Sequence, residues 1–374
     1  MNVTMFQMNF GESILLGEDK IRCLLVDCGS KSSLTASSQM LKNVQNQVAL
    51  YQTADAMISH FHSDHYKGFR YFNHTFDRVY IPHIFTAHQH PNMVDYLLMR
   101  DYLRSRGTIK CTLLDLLENM QKIGKRFSLL KRGDHFSFCG NEAEVLWPCP
   151  QTIHNELESM LKSLAVPDDL RNQIRSISDE ISEFVVKYAN VSIRKNGYQQ
   201  KLIQIRGSVR ALMQNSNPDE EAGKKENAKK FHWDFPHSVN DHTYCIVFQI
   251  HSASDDRNYL FTGDVLKKHL TKICNDKKLP LYPNFYAVKA PHHGTPEYYC
   301  SDLFQNNAKI KIEKVFISHG QGYGNYGKIS VEYIKEPYKM ICTNYVPAEC
   351  PGFGTCRPQN CGLSHNPPPT SYFI

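Results

Sequence analysis

The chain contains 374 residues, of which 43 are Lys or Arg and 37 are Asp or Glu, so its formal net charge is +6. This length admits one large domain or two, and the mild excess of positive charge permits a phosphate-bearing substrate without requiring one. No apolar run approaches the roughly 20 residues that a membrane span needs, and the first residues do not resemble a secretion signal. We therefore expect a cytoplasmic protein without a membrane association, in which the 12 cysteines are reduced.

The first part of the chain alternates between strand-like and helix-like segments. Residues 2–28 form short apolar runs separated by turns, residues 35–51 have loose helical spacing, and residues 54–59 are typical of a buried strand. Further strands are expected at residues 78–82, 134–138 and 143–148, with two amphipathic helices around Gly107 between the first two. This alternation predicts a layered α/β sandwich.

Residues 153–213 follow a different period, which predicts an inserted helical arm. Apolar residues recur at steps of four and three along one helical face, namely Leu170, Ile174, Ile177, Ile181, Phe184 and Tyr188. We expect this face to pack against the core or a neighbouring helix, and its spacing also suits a homo-oligomer or a partner protein. Residues 214–232 are charged and nearly free of apolar side chains, which is typical of a mobile linker.

The densest functional signal is the segment Ser59-His60-Phe61-His62-Ser63-Asp64-His65. At the end of a strand, side chains two apart point the same way, so His60 and His62 can hold one metal ion together. Asp64 and His65, where the chain turns into a helix, can reach a second ion. Imidazoles crowded this closely repel once protonated, so a metal centre is favoured over a surface loop that is merely rich in His.

This H-x-H-x-D-H pattern resembles the signature of the metallo-β-lactamase superfamily. Later segments are similar, in the same order, to the branch that contains the hydrolase domain of the DNA-uptake channel ComEC; they are Thr262-Gly263-Asp264, His292-His293-Gly294-Thr295, Ser318-His319-Gly320 and Asn325-Tyr326-Gly327. The resemblance implies an αββα sandwich over residues 1–345, interrupted by the 153–213 arm and the 214–232 linker. It also implies two divalent ions, Zn²⁺ or Mn²⁺, that share a hydroxide.

The same resemblance assigns roles to individual residues. The expected metal ligands are His60, His62, Asp64, His65, Asp264 as the bridging carboxylate, and His292, with His242 left open because strict register places it in a variable position. Asp27 is expected to support the ligands from behind. Asp64, His293 and His319 are the candidate catalytic residues, and His293 is expected near the leaving group. The candidate substrate contacts are Lys289, Thr295, Asn325 and Tyr326.

The last segment, residues 346–374, is rich in Cys and Pro and is expected to be a separate tail. Its Cys350-x5-Cys356-x4-Cys361-x3-His365 spacing suits a structural zinc site, although unliganded cysteines fit the pattern equally well.

The resemblance makes a phosphodiesterase or nuclease that acts on DNA or RNA the first functional hypothesis, with nucleic acid as the partner. Two alternatives remain. One is a hydrolase of a small ester, thioester or lactam, and the other is a regulatory or binding module with a vestigial metal site.

Overall fold

The structure is a computed structural model that describes residues 1–73, 75–104, 111–162, 167–192, 197–214, 240–305, 309–320, 329–335, 338–343 and 371–374. Within these ranges the chain forms two mixed β-sheets of seven strands each, together with helices. None of the described helices combines the length and the apolar character that crossing a membrane requires.

The first sheet collects strands from both ends of the chain. Its strands are β1 (Asn2–Phe6), β2 (Ile14–Glu18), β3 (Arg22–Val26), β4 (Thr53–Met57), β5 (Val79–Pro82), β6 (Phe127–Leu130) and β14 (Ser371–Phe373), in the order β14-β1-β2-β3-β4-β5-β6. Neighbours from β14 to β3 pair antiparallel, whereas those from β3 to β6 pair parallel. The short apolar runs expected over residues 2–28 are therefore strands, β1 to β3, which pair antiparallel.

The second sheet has a matching organisation. Its strands are β7 (His135–Phe138), β8 (Asn141–Trp147), β9 (Val247–Ser252), β10 (Arg257–Phe261), β11 (Asn284–Lys289), β12 (Lys311–Ile317) and β13 (Lys339–Cys342), in the order β13-β12-β11-β10-β9-β8-β7. Neighbours from β7 to β10 pair antiparallel and those from β10 to β13 pair parallel.

The two sheets pack face to face around a shared apolar interior. Successive residues of a strand point to opposite faces, so Leu24 and Val26 of β3 enter this interior while Leu25 between them faces outward. From the other sheet, Phe248 and Phe261 enter the same cluster. Tyr80 and Phe136 contact each other across the interface, with ring centroids 4.9 Å apart.

Helices cover the outward-facing strand residues, with which they share a second apolar cluster. They are α1 (Gln39–Val48), α2 (Ser63–Tyr66), α3 (Met93–Arg104), α4 (Thr112–Ile123), α5 (Pro150–Lys162), α6 (Asp168–Tyr188), α7 (Gly197–Gln214), α8 (Lys267–Cys274), α9 (Ser301–Phe304) and α10 (Glu332–Lys335), with 3₁₀ turns at Lys67–Tyr71, His292–Gly294 and Pro296–Tyr298. The α/β layering predicted from the sequence is thus present, and β6 is a strand that the sequence did not indicate.

The inserted helices α5 to α7 extend the main core. The apolar stripe of α6 is buried at Ile174 and Ile181, and its first turn carries two aspartates that suit the positive end of the helix dipole. The ring of Phe184 packs on Tyr198 of α7 at 4.7 Å, and the Tyr198 hydroxyl donates to the carbonyl of Leu117 in α4. Packing on the core, one of the expectations for this stripe, is therefore what the structure contains.

The C-terminus departs from the expectation of a separate tail. Residues 371–373 form β14, which pairs with β1 and so returns the chain to the first sheet. Apart from Gln214, the linker expected at residues 214–232 lies outside the described residues, and so do the candidate zinc ligands Cys350, Cys356, Cys361 and His365.

Candidate metal centre

The candidate ligands meet at the carboxyl ends of parallel strands from both sheets. Asp27 follows β3, the segment 59–65 follows β4, Asp264 follows β10, and the His292–Gly294 turn follows β11. Loops at the carboxyl ends of adjacent parallel strands lie side by side, and this edge is where α/β sheets generally bind ligands. The fold therefore brings together residues that are far apart in the sequence.

Three imidazoles form the first pocket. Ligand-capable atoms of His60, His62 and His242 lie within 4.8 Å of one another, and His242 Nε2 is 2.9 Å from His62 Nδ1. Burial lowers the pKa of His60 and of His242 well below the usual range, and neighbouring imidazoles lower both further. A neutral ring keeps a lone pair for a metal, so the lowered pKa values of His60 and His242 favour metal binding. His242, left open by the sequence, belongs to it.

Each ring of the first pocket is held from behind. His62 Nε2 donates to Asp241 Oδ2 at 2.8 Å, and His242 Nδ1 lies 2.6 Å from the hydroxyl of Tyr298. Ser59 Oγ lies 3.1 Å from His60 Nδ1, which directs the opposite nitrogen inward. Partners of this kind fix the orientation of metal-binding imidazoles.

Asp64, His65 and His293 form the second pocket, where their ligand-capable atoms again lie within 4.8 Å. His293 Nδ1 donates to the carbonyl of Ser318 at 2.9 Å, so Nε2 faces the pocket, 3.5 Å from Asp64 Oδ2. His65 Nδ1 donates to Asp27 Oδ2 at 2.7 Å, so Asp27 lies behind this ligand-capable ring.

The carboxylate of Asp264 lies between the two pockets. Its Oδ2 is 3.1 Å from His65 Nε2, 3.7 Å from His293 Nε2 and 3.9 Å from His60 Nε2. Burial would raise the pKa of this carboxyl, but nearby cationic groups, His65 first, hold it well below its usual range. Gly263, at φ +50°, makes the approach possible, because a Cβ there would lie 2.2 Å from the sulfur of Cys245.

His65 and Asp27 form a buried pair behind the second pocket. Asp27 also accepts the backbone N–H and the hydroxyl of Ser59, at 2.7 and 2.6 Å. Burial lowers the pKa of His65, yet the carboxylates of Asp264 and Asp27 outweigh it and raise this pKa well above the usual value. Asp27 itself has a raised pKa, because burial outweighs the attraction of His65.

The residues fit divalent ions. His60 Nε2, His293 Nε2 and Asp64 Oδ1 are buried, and no described residue offers any of them a hydrogen bond. Buried polar atoms without a partner are costly and rare, and three of them converging on one centre call for a ligand. Imidazole nitrogens with carboxylate oxygens are donors that suit Zn²⁺ and Mn²⁺. These buried groups could therefore hold a metal ion.

The two adjacent histidines belong to different groups of ligand-capable side chains. His293 lies with Asp64 and His65 in the second pocket, whereas His292 lies with His242 and Asp264, stacked on Tyr298 at 4.0 Å. His292, expected as a metal ligand, thus lies among ligand-capable residues, and His293, expected near the leaving group, lies among others; which of the two binds metal stays a prediction.

Thr295, expected at the substrate, is buried and accepts from His292 Nδ1 at 2.8 Å. Its hydroxyl in turn donates to the His292 carbonyl at 3.0 Å. Thr295 therefore orients His292.

Lys289 also departs from the expected role of a phosphate contact. Its ammonium is completely buried and donates to the Gly263 carbonyl at 2.7 Å. It also pairs with Glu12 Oε2 at 2.7 Å and with Asp264 Oδ1 at 3.2 Å. All three N–H donors are thus used inside the protein, so Lys289 acts behind Asp264 and does not reach a substrate.

The third candidate catalytic residue, His319, lies outside the two pockets. Its ring is buried beside Phe10, at a centroid distance of 5.8 Å, and its backbone is tied to the hydroxyl of Thr343. The catalytic role of His319 stays a prediction. Asn325 and Tyr326 lie outside the described residues.

Several functional positions were missed from the sequence. Asp241 holds His62, and Arg100 of α3 is in turn paired with Asp241. Glu12 neutralises Lys289, and Tyr298 contacts His242. Asp241 has a local signal, since it directly precedes His242, whereas nothing in the sequence around Arg100 indicates its partner.

No protein-family model matches the chain, and a sequence comparison with curated proteins gives no match. Its function has to be inferred from the residues and their geometry.

Proposed function

We propose that the protein is a metal-dependent hydrolase, most specifically a phosphodiesterase or nuclease, with a metallo-β-lactamase-like αββα fold and two divalent ions, Zn²⁺ or Mn²⁺. One observation carries the proposal: the Asp264 carboxylate lies between two buried pockets, each with three further ligand-capable side chains. Two pockets that share one carboxylate are the arrangement that a pair of ions needs.

The two pockets divide the ligands between the ions. His60, His62 and His242 would hold one ion, Asp64, His65 and His293 the other, and Asp264 would contact both. Such a pair supplies Lewis acidity, neutralises the charge of a phosphoryl group and lowers the pKa of water. The chain's own contribution is to hold the rings: Asp241 and Tyr298 orient the first pocket.

Lys289 and Glu12 balance charge beneath the centre. The buried ammonium of Lys289 contacts Asp264 on the side away from the histidines, and Glu12 neutralises the rest of its charge. Because all these groups are buried, they stay in place without rearranging water, which is the kind of preorganisation that favours charge development in a transition state.

The phosphodiester is favoured over a neutral ester by the resemblance to the ComEC branch and by the net charge of +6. A small ester, thioester or lactam remains the alternative substrate class, and a vestigial site remains the alternative of another kind. The experiment below separates the three.

The test uses metal-stripped protein reloaded with Zn²⁺, Mn²⁺ or Mg²⁺. Its substrates are single- and double-stranded DNA, RNA, bis(p-nitrophenyl) phosphate, a p-nitrophenyl ester and a chromogenic lactam. We expect cleavage of phosphodiesters, lost by roughly a thousandfold or more in Asp264→Asn. Asp256→Asn is the matched control, because Asp256 is exposed and distant in the fold from this edge of the sheets.

Each alternative has its own outcome. Cleavage of the ester or the lactam while every phosphodiester stays intact would replace the proposal with the small-substrate hydrolase. Failure of the protein to take up any ion, together with no hydrolysis of any substrate, would leave the vestigial module.

A further inference from the structure

Two lysines lie beside carboxylates of the metal centre, and their surroundings differ. Lys289 is fully buried and uses its three N–H donors on protein oxygens. Lys31 has a side chain that is 37% exposed, and its Nζ lies 3.7 Å from Asp64 Oδ2. That separation is longer than a hydrogen bond, so Asp64, the carboxylate beside Lys31 among the described residues, leaves the ammonium able to donate to another acceptor.

The backbone fixes Lys31 relative to the metal ligands. Its N–H donates to the Phe10 carbonyl at 2.7 Å, and the N–H of Cys28, three residues earlier, donates to the His65 carbonyl at 2.6 Å. Gly29 packs so closely that an added Cβ would lie 2.3 Å from the carbonyl carbon of Asp64. The loop that carries Lys31 is therefore locked to the backbone of the candidate ligands Asp64 and His65.

The side chain of Lys31 also has a defined support. Its ammonium lies 5.2 Å from the centroid of the Phe10 ring, a distance at which a cation is attracted to the ring face. Phe10 itself is buried and packs on His293 at 4.4 Å. A half-exposed cation is thus held at the edge of the second pocket, beside Asp64.

We propose that Lys31 binds the non-bridging phosphate oxygen of the substrate and so selects anionic phosphodiesters over neutral esters. The inference deepens the proposed hydrolase function and rests on it for the identity of the substrate. An ammonium forms a charge-assisted hydrogen bond with an anionic phosphate oxygen, and its hydrogen bond to the carbonyl of a neutral ester is much weaker. Lys31 is a specificity-determining residue in this scheme, and the bond cleavage itself belongs to the metal centre.

Removing the positive charge of Lys31 should affect the metal affinity and the anion affinity of the site differently. In Lys31→Met a cation disappears from beside Asp64, so the affinity of the site for a divalent cation stays the same or rises. The affinity for an anion falls, because its charged partner is gone. A variant that merely disturbed the fold would weaken both.

The first measurement needs no turnover. Calorimetry measures the binding of inorganic phosphate to the Zn²⁺-loaded protein, and atomic absorption measures the metal content. We expect Lys31→Met to weaken phosphate binding about 10- to 100-fold with unchanged metal content, and Lys31→Arg to stay within about 3-fold of the wild type. Lys42→Met on the exposed surface of α1 is the matched control and should leave phosphate binding unchanged.

The second measurement compares bis(p-nitrophenyl) phosphate with its neutral methyl triester. We expect Lys31→Met to raise KM for the diester by about the same 10- to 100-fold, with kcat/KM for the triester changed by less than about 3-fold.

The outcomes separate this inference from the proposed function. Equal phosphate affinities in wild type and Lys31→Met, or a wild type that binds no phosphate, would overturn the role of Lys31 even if phosphodiesters are cleaved. Weakened phosphate binding in a protein that cleaves no phosphodiester would support Lys31 as an anion contact and reject the hydrolase assignment.

Discussion

Replacing Arg100 by Met is expected to lower the free energy of unfolding by about 3–5 kcal/mol, the usual cost of leaving a buried charge without its partner. Arg100 is buried in α3 and pairs with Asp241, and it donates to Asp101 Oδ1 at 2.7 and 3.0 Å. It also donates to the hydroxyl of Thr112 at 2.6 Å. Methionine fills much of the volume but leaves two buried carboxylates without a cation.

The loss should depend on pH in a definite direction. Burial would raise the pKa of Asp241, but Arg100 first and His62 second hold it well below its usual range. A carboxyl with a depressed pKa stabilises the fold above its unfolded pKa of about 3.9, and this contribution is lost as the pH falls through the folded pKa. Without Arg100 the pKa of Asp241 rises. As the pH falls, the carboxylate then takes up a proton, and the cost of a buried charge without a partner disappears. The destabilisation should therefore be largest near pH 8 and smaller near pH 5.

The assay is urea denaturation of chelator-treated protein at both pH values, so that bound metal makes no contribution. Arg206→Met is the matched control, because Arg206 of α7 pairs with Glu118 at the surface, where their side chains are 45% and 35% exposed. Exposed pairs contribute about 0–1 kcal/mol, so the control should change little. A loss no larger than that of the control, or one equal at the two pH values, would refute the reasoning.

Four further substitutions test the arrangement of the centre. Elemental analysis should find one bound ion in His293→Ala and two in His292→Ala. The reverse result would support His292, the histidine favoured from the sequence, as the metal ligand. Lys289→Met should cost about 3–5 kcal/mol in urea denaturation, because two buried carboxylates lose their cation, and a loss below about 1 kcal/mol would contradict its burial. Gly29→Ala should lower the free energy of unfolding by about 1–3 kcal/mol and weaken metal uptake, because the added Cβ would overlap the backbone of Asp64. An unchanged melting temperature and metal content would count against this close contact.

Local periodicity predicted those elements whose stabilisation is local. The stripe of α6 recurs every three or four residues over a long segment, so its helix and its buried face could be read from the sequence. β14 is only three residues long and gains its order from pairing with β1, at the opposite end of the chain. Pairing over such a distance leaves no mark in the local sequence, and the same is true of the short strand β6 between α4 and β7.

The centre was predictable where the ligands share one local geometry. His60 and His62 follow a strand, so their spacing of two residues placed both correctly in one pocket. The rule does not extend to His292 and His293, because both have positive φ angles, 44° and 56°, and the turn sends their side chains in directions that alternation does not describe. Lys289 was misjudged for a different reason: a lysine is usually exposed, and the carboxylates that allow its burial come from other loops.

The centre can exist only when the two sheets have packed together. His60, His62, Asp64 and His65 follow a strand of the first sheet, whereas Asp264 and His293 follow strands of the second. Even the charge balance crosses the interface, since Glu12 lies between β1 and β2 and its partner Lys289 ends β11. Folding alone gains nothing from gathering unpaired buried nitrogens and oxygens, each of which costs about 1–3 kcal/mol. A bound ion would recover that cost, so metal binding and the packing of the two sheets would stabilise each other.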